Sequence, residues 1–208
     1  MRQVNYSFKD SFIDLSHTKL TKQPNLSNYI HTTHLNLSYN SLINIDEKLL
    51  PPYLEELTCN SNYITTLNIS TLRLIKLNCS NNKLTNIDNL TKTIKSLNCS
   101  QNELTKLNFL SHSLIELECN DNKIIQLNNL PNTLEKLYCH RNKLTELFIP
   151  FKLIELHCYN NNIKELSNIP KTLKILLCHN NNISILNIKD NNIKELWLYN
   201  NPIKIITN

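Results

Sequence analysis

Seven cysteines, Cys59, Cys79, Cys99, Cys119, Cys139, Cys158 and Cys178, each stand three residues before an asparagine and recur about every twenty residues. Thiols at such an interval raise three chemistries. A nucleophile needs a base within reach, and His157 sits directly before Cys158; if the segment is a strand, adjacent side chains leave on opposite faces and imidazole and thiol cannot meet. Zinc needs ligands that converge in a tetrahedron, commonly as CxxC pairs, and single sulfurs in a column supply no pair. Disulfides are permitted by distance, because neighbouring strands lie about 4.8 Å apart and bridged Cα atoms about 4.4 to 6.8 Å apart. They are opposed by the odd number of thiols, by side chains that point the same way, and by the lack of an apolar signal-like run in MRQVNYSFKDSF. Three histidines, His140, His157 and His179, form a further candidate metal set. Residues two apart on a strand are roughly 6.6 Å apart, and no carboxylate converges on all three, so neither a metal nor a cofactor is expected. GxSxG, HExxH, paired CxxC and glycine-rich phosphate loops are absent from a chain without glycine. The expectation is a protein that is not an enzyme.

The elements that hold these residues follow from a repeat. Aligned on asparagine, the chain gives Asn40, Asn62, Asn82, Asn102, Asn122, Asn142, Asn161, Asn181 and Asn201, spaced by 22, then mostly 20 and once 19 residues. An apolar residue stands five before each asparagine and another two after it, as in Leu97 and Leu104, or Leu117 and Ile124. In the LxC portion apolar and polar residues alternate, so Leu97 and Cys99 face one side of a short strand of five or so residues, and Ser96, Asn98 and Ser100 the other. A unit of twenty residues then has too little chain left for a full α-helix. Pro131 and Pro170, in LPNTLEKL and IPKTLKIL, oppose a helix as well.

The pattern LxxLxCxxNxL resembles the leucine-rich repeat, from about Asp10 to Asn208, with Thr18 in the place of the first asparagine. The LPxxLxxL phrase is similar to the short repeats of bacterial effector proteins, and the asparagine-rich composition resembles stand-alone repeat proteins encoded by large DNA viruses of protists. The ubiquitin-ligase domain carried by some such effectors has no counterpart among these residues. The resemblance implies a repeat solenoid, the leucine-rich-repeat horseshoe, with a parallel β-sheet on the concave face, an extended or 3-10 convex side, and few or no full α-helices. Residues 1–208 form one such solenoid, with an amino-terminal cap and degenerate first repeat over about 1–30 and nine clear repeats over about 31–208.

Within that frame the thiol question has a plain answer. Leu15, Leu37 and Leu198 fill the cysteine column in the remaining units, so the column asks for a buried apolar group, which free cysteine supplies. The asparagine column is expected to bond the turn backbone of its own and neighbouring coils, and asparagine also tolerates left-handed turns in runs such as Asn160-Asn161-Asn162. Asn36, Asn78 and Asn98 begin N-x-S sequons; glycans there would lie on the sheet face, and these are read as by-products of composition.

Net charge is +5, but lysines alternate with glutamates and no block of like charge occurs, which argues against a nucleic-acid stripe. No eighteen apolar residues run together, so no membrane span is expected and the expected location is intracellular, in cytoplasm or host cytoplasm. Missing Gly and Ala beside abundant Lys, Asn and Ile carry the imprint of an AT-rich genome.

Information is then expected on the outward strand positions. Between the inward residues these read Asn36, Thr58, Asn78, Asn98, Glu118, Tyr138, His157, Leu177 and Trp197; just after, they read Ser38, Asn60, Ser80, Ser100, Asn120, His140, Tyr159, His179 and Tyr199. The character changes near Glu118 from small and polar to aromatic. Glu118, Tyr138, His140, His157, Tyr159, Leu177, His179, Trp197 and Tyr199 are the candidate partner-binding residues, for a host or cellular protein. Two rivals stand beside this reading: aromatic rings that merely cover the sheet, and a structural or self-assembling component that forms a homo-oligomer through Ile203, Ile205 and Ile206 at the carboxyl end. Val4, Tyr6, Phe8, Phe12 and Ile13 are expected to cover the amino end.

Overall fold

The computed structural model describes residue 7 and residues 9–207 except 89, 109, 189 and 190, with residues 205–207 described by their backbone alone. Val4, Tyr6, Phe8 and the side chains of Ile205 and Ile206 thus lie outside the described residues. Ile13 is fully buried, whereas Phe12 stays exposed.

Fifteen short strands follow in chain order. They are β1 (Phe12–Asp14), β2 (His34–Asn36), β3 (Asn44–Asp46), β4 (Glu56–Thr58), β5 (Thr66–Asn68), β6 (Lys76–Asn78), β7 (Ser96–Asn98) and β8 (Glu116–Glu118), then β9 (Lys136–Tyr138), β10 (Glu155–His157), β11 (Glu165–Leu166), β12 (Ile175–Leu177), β13 (Ile185–Asn187), β14 (Glu195–Trp197) and β15 (Ile205–Thr207). Ten of them form one parallel sheet in the order β1-β2-β4-β6-β7-β8-β9-β10-β12-β14. The first strand places the unit with Thr18 in place of asparagine in the same sheet, paired with β2. The return side carries small parallel ladders, β11-β13-β15 and β3-β5. A 3-10 turn at Glu47–Leu49 is the only helical element among the described residues. This is a leucine-rich-repeat solenoid, with the extended return side that the unit length dictates.

Register is set by the apolar period. Leu97 at the centre of β7 pairs with Leu77 and Leu117 on either side; a slip by one residue would turn every leucine out to solvent. In this coil Ile94, Leu97, Cys99, Leu104 and Leu107 are all buried. The strands are three residues long rather than five, yet the ladder outlasts them: Lys95 N–H donates to Ile75 at 2.8 Å, Cys99 N–H to Glu118 at 2.8 Å, and Gln101 N–H to Asn120 at 2.9 Å. The chain bends inward after Cys99 while these backbone groups stay paired with the neighbouring coils.

The bend is fixed by asparagine. Asn102 lies 8% exposed. Its Nδ2 donates to the carbonyls of Cys79, Cys99 and Ser100 at 3.1, 3.2 and 3.0 Å, and its Oδ1 accepts from Leu84 N–H at 3.0 Å. The same set recurs at Asn62, Asn82, Asn122, Asn142, Asn161 and Asn181, which confirms the structural role of the column. The expectation about left-handed turns needs refinement. Positive φ recurs on the residue just before the ladder position, taken by His17, Tyr39, Ser61, Gln101, Asp121 and Arg141 as well as by Asn81, Asn160, Asn180 and Asn200, and it occurs elsewhere at Lys19, Asn129 and Asn168. The coil imposes the conformation, and the hydrogen bonds of the next residue hold it whatever side chain is present.

Proline opens the return. Leu134 N–H bonds Pro131 O at 3.1 Å and Leu173 N–H bonds Pro170 O at 3.0 Å, closing one turn before the next strand. Sequence reading passed over a second stitch: Thr93, Thr133 and Thr172 donate their hydroxyls to Leu74, Leu114 and Leu153 of the preceding coil at 2.7, 2.7 and 2.8 Å. The recurring Thr before the apolar residue was its signal.

Candidate functional site

All seven cysteines are free and fully buried in the core. Burial pushes the Cys79 and Cys178 thiols up to about 12, and raises Cys59, Cys99, Cys119, Cys139 and Cys158 well above the ordinary range. Thiols so placed stay protonated and out of reach of solvent, which removes their nucleophilicity. His157 points to the concave face, opposite Cys158. Among the described residues, no group of three or more His, Cys, Asp or Glu is arranged to hold a metal.

The nine candidate residues come together. Backbone register places Glu118, Tyr138, His157, Leu177 and Trp197 side by side on β8, β9, β10, β12 and β14. One residue beyond Cys139, Cys158, Cys178 and Leu198, the rings of His140, Tyr159, His179 and Tyr199 stack in sequence. Their centroids are 4.3 Å apart for His140 and Tyr159, 4.5 Å for Tyr159 and His179, and 4.4 Å for His179 and Tyr199, with planes within 21° of parallel. The separations follow from the strand spacing of about 4.8 Å, which is close to the contact distance of two rings. The rows touch each other: Tyr138 meets His157 edge to face at 4.8 Å, and His179 lies 5.6 Å from Trp197.

Burial divides the patch. His179 is 6% exposed, whereas Trp197 and Tyr199 are 46% and 54% exposed. The Nδ1 atoms of His140 and His179 are buried without a hydrogen-bond partner. Part of the stack therefore does cover the sheet, at His179, whereas Tyr138, His140, His157, Tyr159 and Leu177 are half-buried and Trp197 and Tyr199 are exposed.

Glu155 was missed at the level of sequence. Its carboxylate accepts from His157 Nε2 at 3.0 Å and bonds the Tyr138 hydroxyl, tying two strands of the patch together. Its place two residues before His157, on the same face of the strand, was the signal. Desolvation, reinforced by Glu155, raises the Tyr138 phenol. Desolvation also raises Glu118, with Glu116 adding to the effect; Glu118 accepts from the Asn98 amide at 2.9 Å.

Desolvation lowers all three histidines, His140 to about 4 against the opposing pull of Asp121, and His157 against that of Glu155. They are neutral in the folded protein near pH 7. Between about pH 6.5, where an unfolded histidine titrates, and about 4, the unfolded chain binds more protons than the folded one. Stability is then complete above about 6.5 and falls with falling pH across that window. The melting temperature is expected to drop by roughly 5 °C more between pH 7 and pH 4.5 in wild type than in a His140→Asn variant. Equal pH profiles by circular dichroism would contradict the assignment.

The amino-terminal half of the same face is different. Asn36, Asn78 and Asn98 accept from the hydroxyls of Ser38, Ser80 and Ser100 at 2.6, 2.7 and 2.7 Å and also from their backbone N–H groups. Much of its polar capacity is spent within the sheet.

No protein-family model and no curated protein matches this sequence. Solved structures do. The chain is similar to YopM from Yersinia enterocolitica, with 30% identity and a TM-score of 0.85 over 91% of this chain and 42% of that one. It is similar to YopM from Yersinia pestis, a leucine-rich effector protein, with 29% identity and a TM-score of 0.84 over 90% and 54% of the two chains. It also resembles the functional domain of InlJ from Listeria monocytogenes, which includes a cysteine ladder, at 25% identity and a TM-score of 0.70 over 95% and 55%. The chain spans about half or less of the length of these proteins. Fold, repeat length and neighbours agree in making it a leucine-rich-repeat solenoid of the short-repeat kind found in bacterial effectors.

Proposed function

We propose that this chain is a non-catalytic protein-binding module whose partner lies across the concave face of the carboxyl-terminal half, on Glu118, Tyr138, His140, His157, Tyr159, Leu177, His179, Trp197 and Tyr199. The supporting observation is the continuous aromatic surface, half-exposed at Trp197 and Tyr199, on a sheet whose other half binds its own polar groups. Tyr and Trp bury large area at little entropic cost and dominate interface energetics. The buried, protonated thiols support both the non-catalytic reading and a reducing intracellular compartment.

The test is affinity capture from eukaryotic lysate with wild type and with a variant carrying Tyr138→Ser, His157→Ser, Trp197→Ser and Tyr199→Ser, after circular dichroism shows both folded. Loss of a captured protein by at least about tenfold in the variant is expected, the size of one hot-spot truncation. Retention of the same proteins by both would reduce the rings to sheet cover. Self-assembly would show instead as mass that grows with concentration in light scattering.

A further inference from the structure

The excess positive charge has a place in the fold. Where each coil enters the concave sheet, three surface positions recur. Two stand just before the buried residue that opens the strand and one just after it, as with Asn132, Thr133 and Glu135 around Leu134. Backbone pairing aligns them from coil to coil: Ile154 N–H donates to Glu135 O, Lys174 N–H to Ile154 O and Lys194 N–H to Lys174 O, at 2.8, 2.8 and 2.7 Å. From the coil of Leu54 to that of Ile193 these positions hold Arg73, Lys92 and Lys95, then Lys152, Lys171, Lys174 and Lys194, against two carboxylates, Glu55 and Glu135. Taking these seven from the chain's 22 Lys and Arg, and two from its 17 Asp and Glu, leaves 15 of each elsewhere, so this flank carries the whole net charge of +5. Along the chain the cations form no block; coiling collects them on one side. None of the seven lies within ion-pair distance of a carboxylate among the described residues.

Apolar side chains lie among the last four lysines. Phe148 and Phe151 are 70% and 58% exposed on either side of the buried Pro150, and Ile154 is 41% exposed. Phe151 is beside Lys171, since each follows the proline of a closed turn and Thr172 Oγ1 donates to Phe151 O at 3.1 Å. The fold does not ask for phenylalanine here. Asn132 and Lys171 stand in the place of Phe151 in the adjoining coils, whose turns close through the same bond from leucine N–H to proline O. Asn129 and Asn168, which precede Leu130 and Ile169, stand in the place of Phe148. A set of unpaired cations around exposed rings suits an anionic lipid surface, which attracts the lysines and takes the rings out of water. Ile149 and Ile154 extend the apolar surface with aliphatic groups that enter acyl chains but offer a nucleic-acid base no plane to stack on.

We propose that this flank seats the protein on an anionic lipid surface, with Lys152, Lys171, Lys174 and Lys194 against the headgroups and Phe148 and Phe151 inserted among the acyl chains. None of these residues belongs to the concave patch, so attachment to lipid is independent of what that patch binds.

The test is flotation with vesicles of phosphatidylcholine alone and of phosphatidylcholine with about one-third phosphatidylserine. Wild type is compared with Lys171→Glu/Lys174→Glu, with Phe148→Ser/Phe151→Ser, and with Lys143→Glu/Lys164→Glu, an equal change of charge at exposed residues outside the flank. Circular dichroism first shows all of them folded. Wild type is expected to float with the mixed vesicles only, and less so as salt rises. Lys171→Glu/Lys174→Glu should lose at least about twentyfold, since each lysine near such a surface contributes roughly fivefold. Phe148→Ser/Phe151→Ser should lose about tenfold or more. Lys143→Glu/Lys164→Glu and the four-residue Ser variant of the concave face should float as wild type does. Absence of binding to the mixed vesicles overturns the proposal, and equal losses in the two charge variants overturn the assignment to this flank. A Phe variant that floats like wild type overturns insertion. Binding to a single-stranded oligonucleotide or to polyglutamate that exceeds vesicle binding, and ignores the Phe substitutions, gives the flank to a polyanionic chain instead of lipid.

Discussion

Replacing Cys119 by Asp is expected to lower the melting temperature by roughly 10 °C or more, while Cys119→Leu still folds. Cys119 is fully buried and lies in a column with Cys99 and Cys139. A carboxylate at that depth has no cation to pair with, and an uncompensated buried charge costs several kcal/mol, about 3 to 5 where such a pair has been broken. The surrounding coils cannot move apart to admit water without losing their own contacts, because each coil is held by its neighbours. Leucine is larger than cysteine, and overpacking costs about 1 to 3 kcal/mol. Leu37 already occupies the same column fully buried, so the coil geometry accepts it. Thermal melts by circular dichroism check the order, and a Cys119→Asp protein as stable as wild type would remove the core assignment.

Asn102→Leu is expected to cost about 3 kcal/mol, and Asn102→Asp more than that at pH 7. The reason lies in which partners are left alone. The carbonyls of Cys79, Cys99 and Ser100 keep other donors, namely Asn82 Nδ2, Asn122 Nδ2 and Asn81 N–H. The buried N–H of Leu84 has Asn102 Oδ1 as its acceptor. Leucine orphans that N–H. Aspartate keeps an acceptor for it but sets a negative charge against three carbonyl oxygens. Protonation of the aspartate restores one donor, so the gap between the Asp and Leu variants should close as pH falls toward 4. Urea unfolding of the three proteins at pH 7 and pH 4.5 measures it; an Asp variant equal to wild type at pH 7 would show that the amide donors carry no stability.

The candidate site was legible in part because a parallel register converts sequence position directly into spatial adjacency. Tyr138, His157, Leu177 and Trp197 are neighbours on the sheet for the same reason that Leu137, Leu156, Leu176 and Leu196 are neighbours in the core. Period two told which side each residue faces. It did not tell how the rings would meet, since stacking of His140, Tyr159, His179 and Tyr199 depends on side-chain torsions that the strand pattern leaves open. Nor did it separate the buried His179 from the exposed Trp197.

The repeat by itself determined the solenoid, the parallel sheet, the burial of the thiol column and the bonding role of the asparagines, because a fixed period forces equivalent residues into equivalent environments. Only the tertiary structure decided what depends on the distance between coils. It assigned the left-handed turn to the residue before each ladder asparagine, whatever its type, and let the threonine hydroxyls reach the preceding coil. It also joined Glu155 to His157 and Tyr138. The physical reason is range: periodicity reports which face a residue shares, whereas hydrogen bonds, ring contacts and uncompensated charge are settled by separations of a few ångströms between residues about twenty positions apart in the chain.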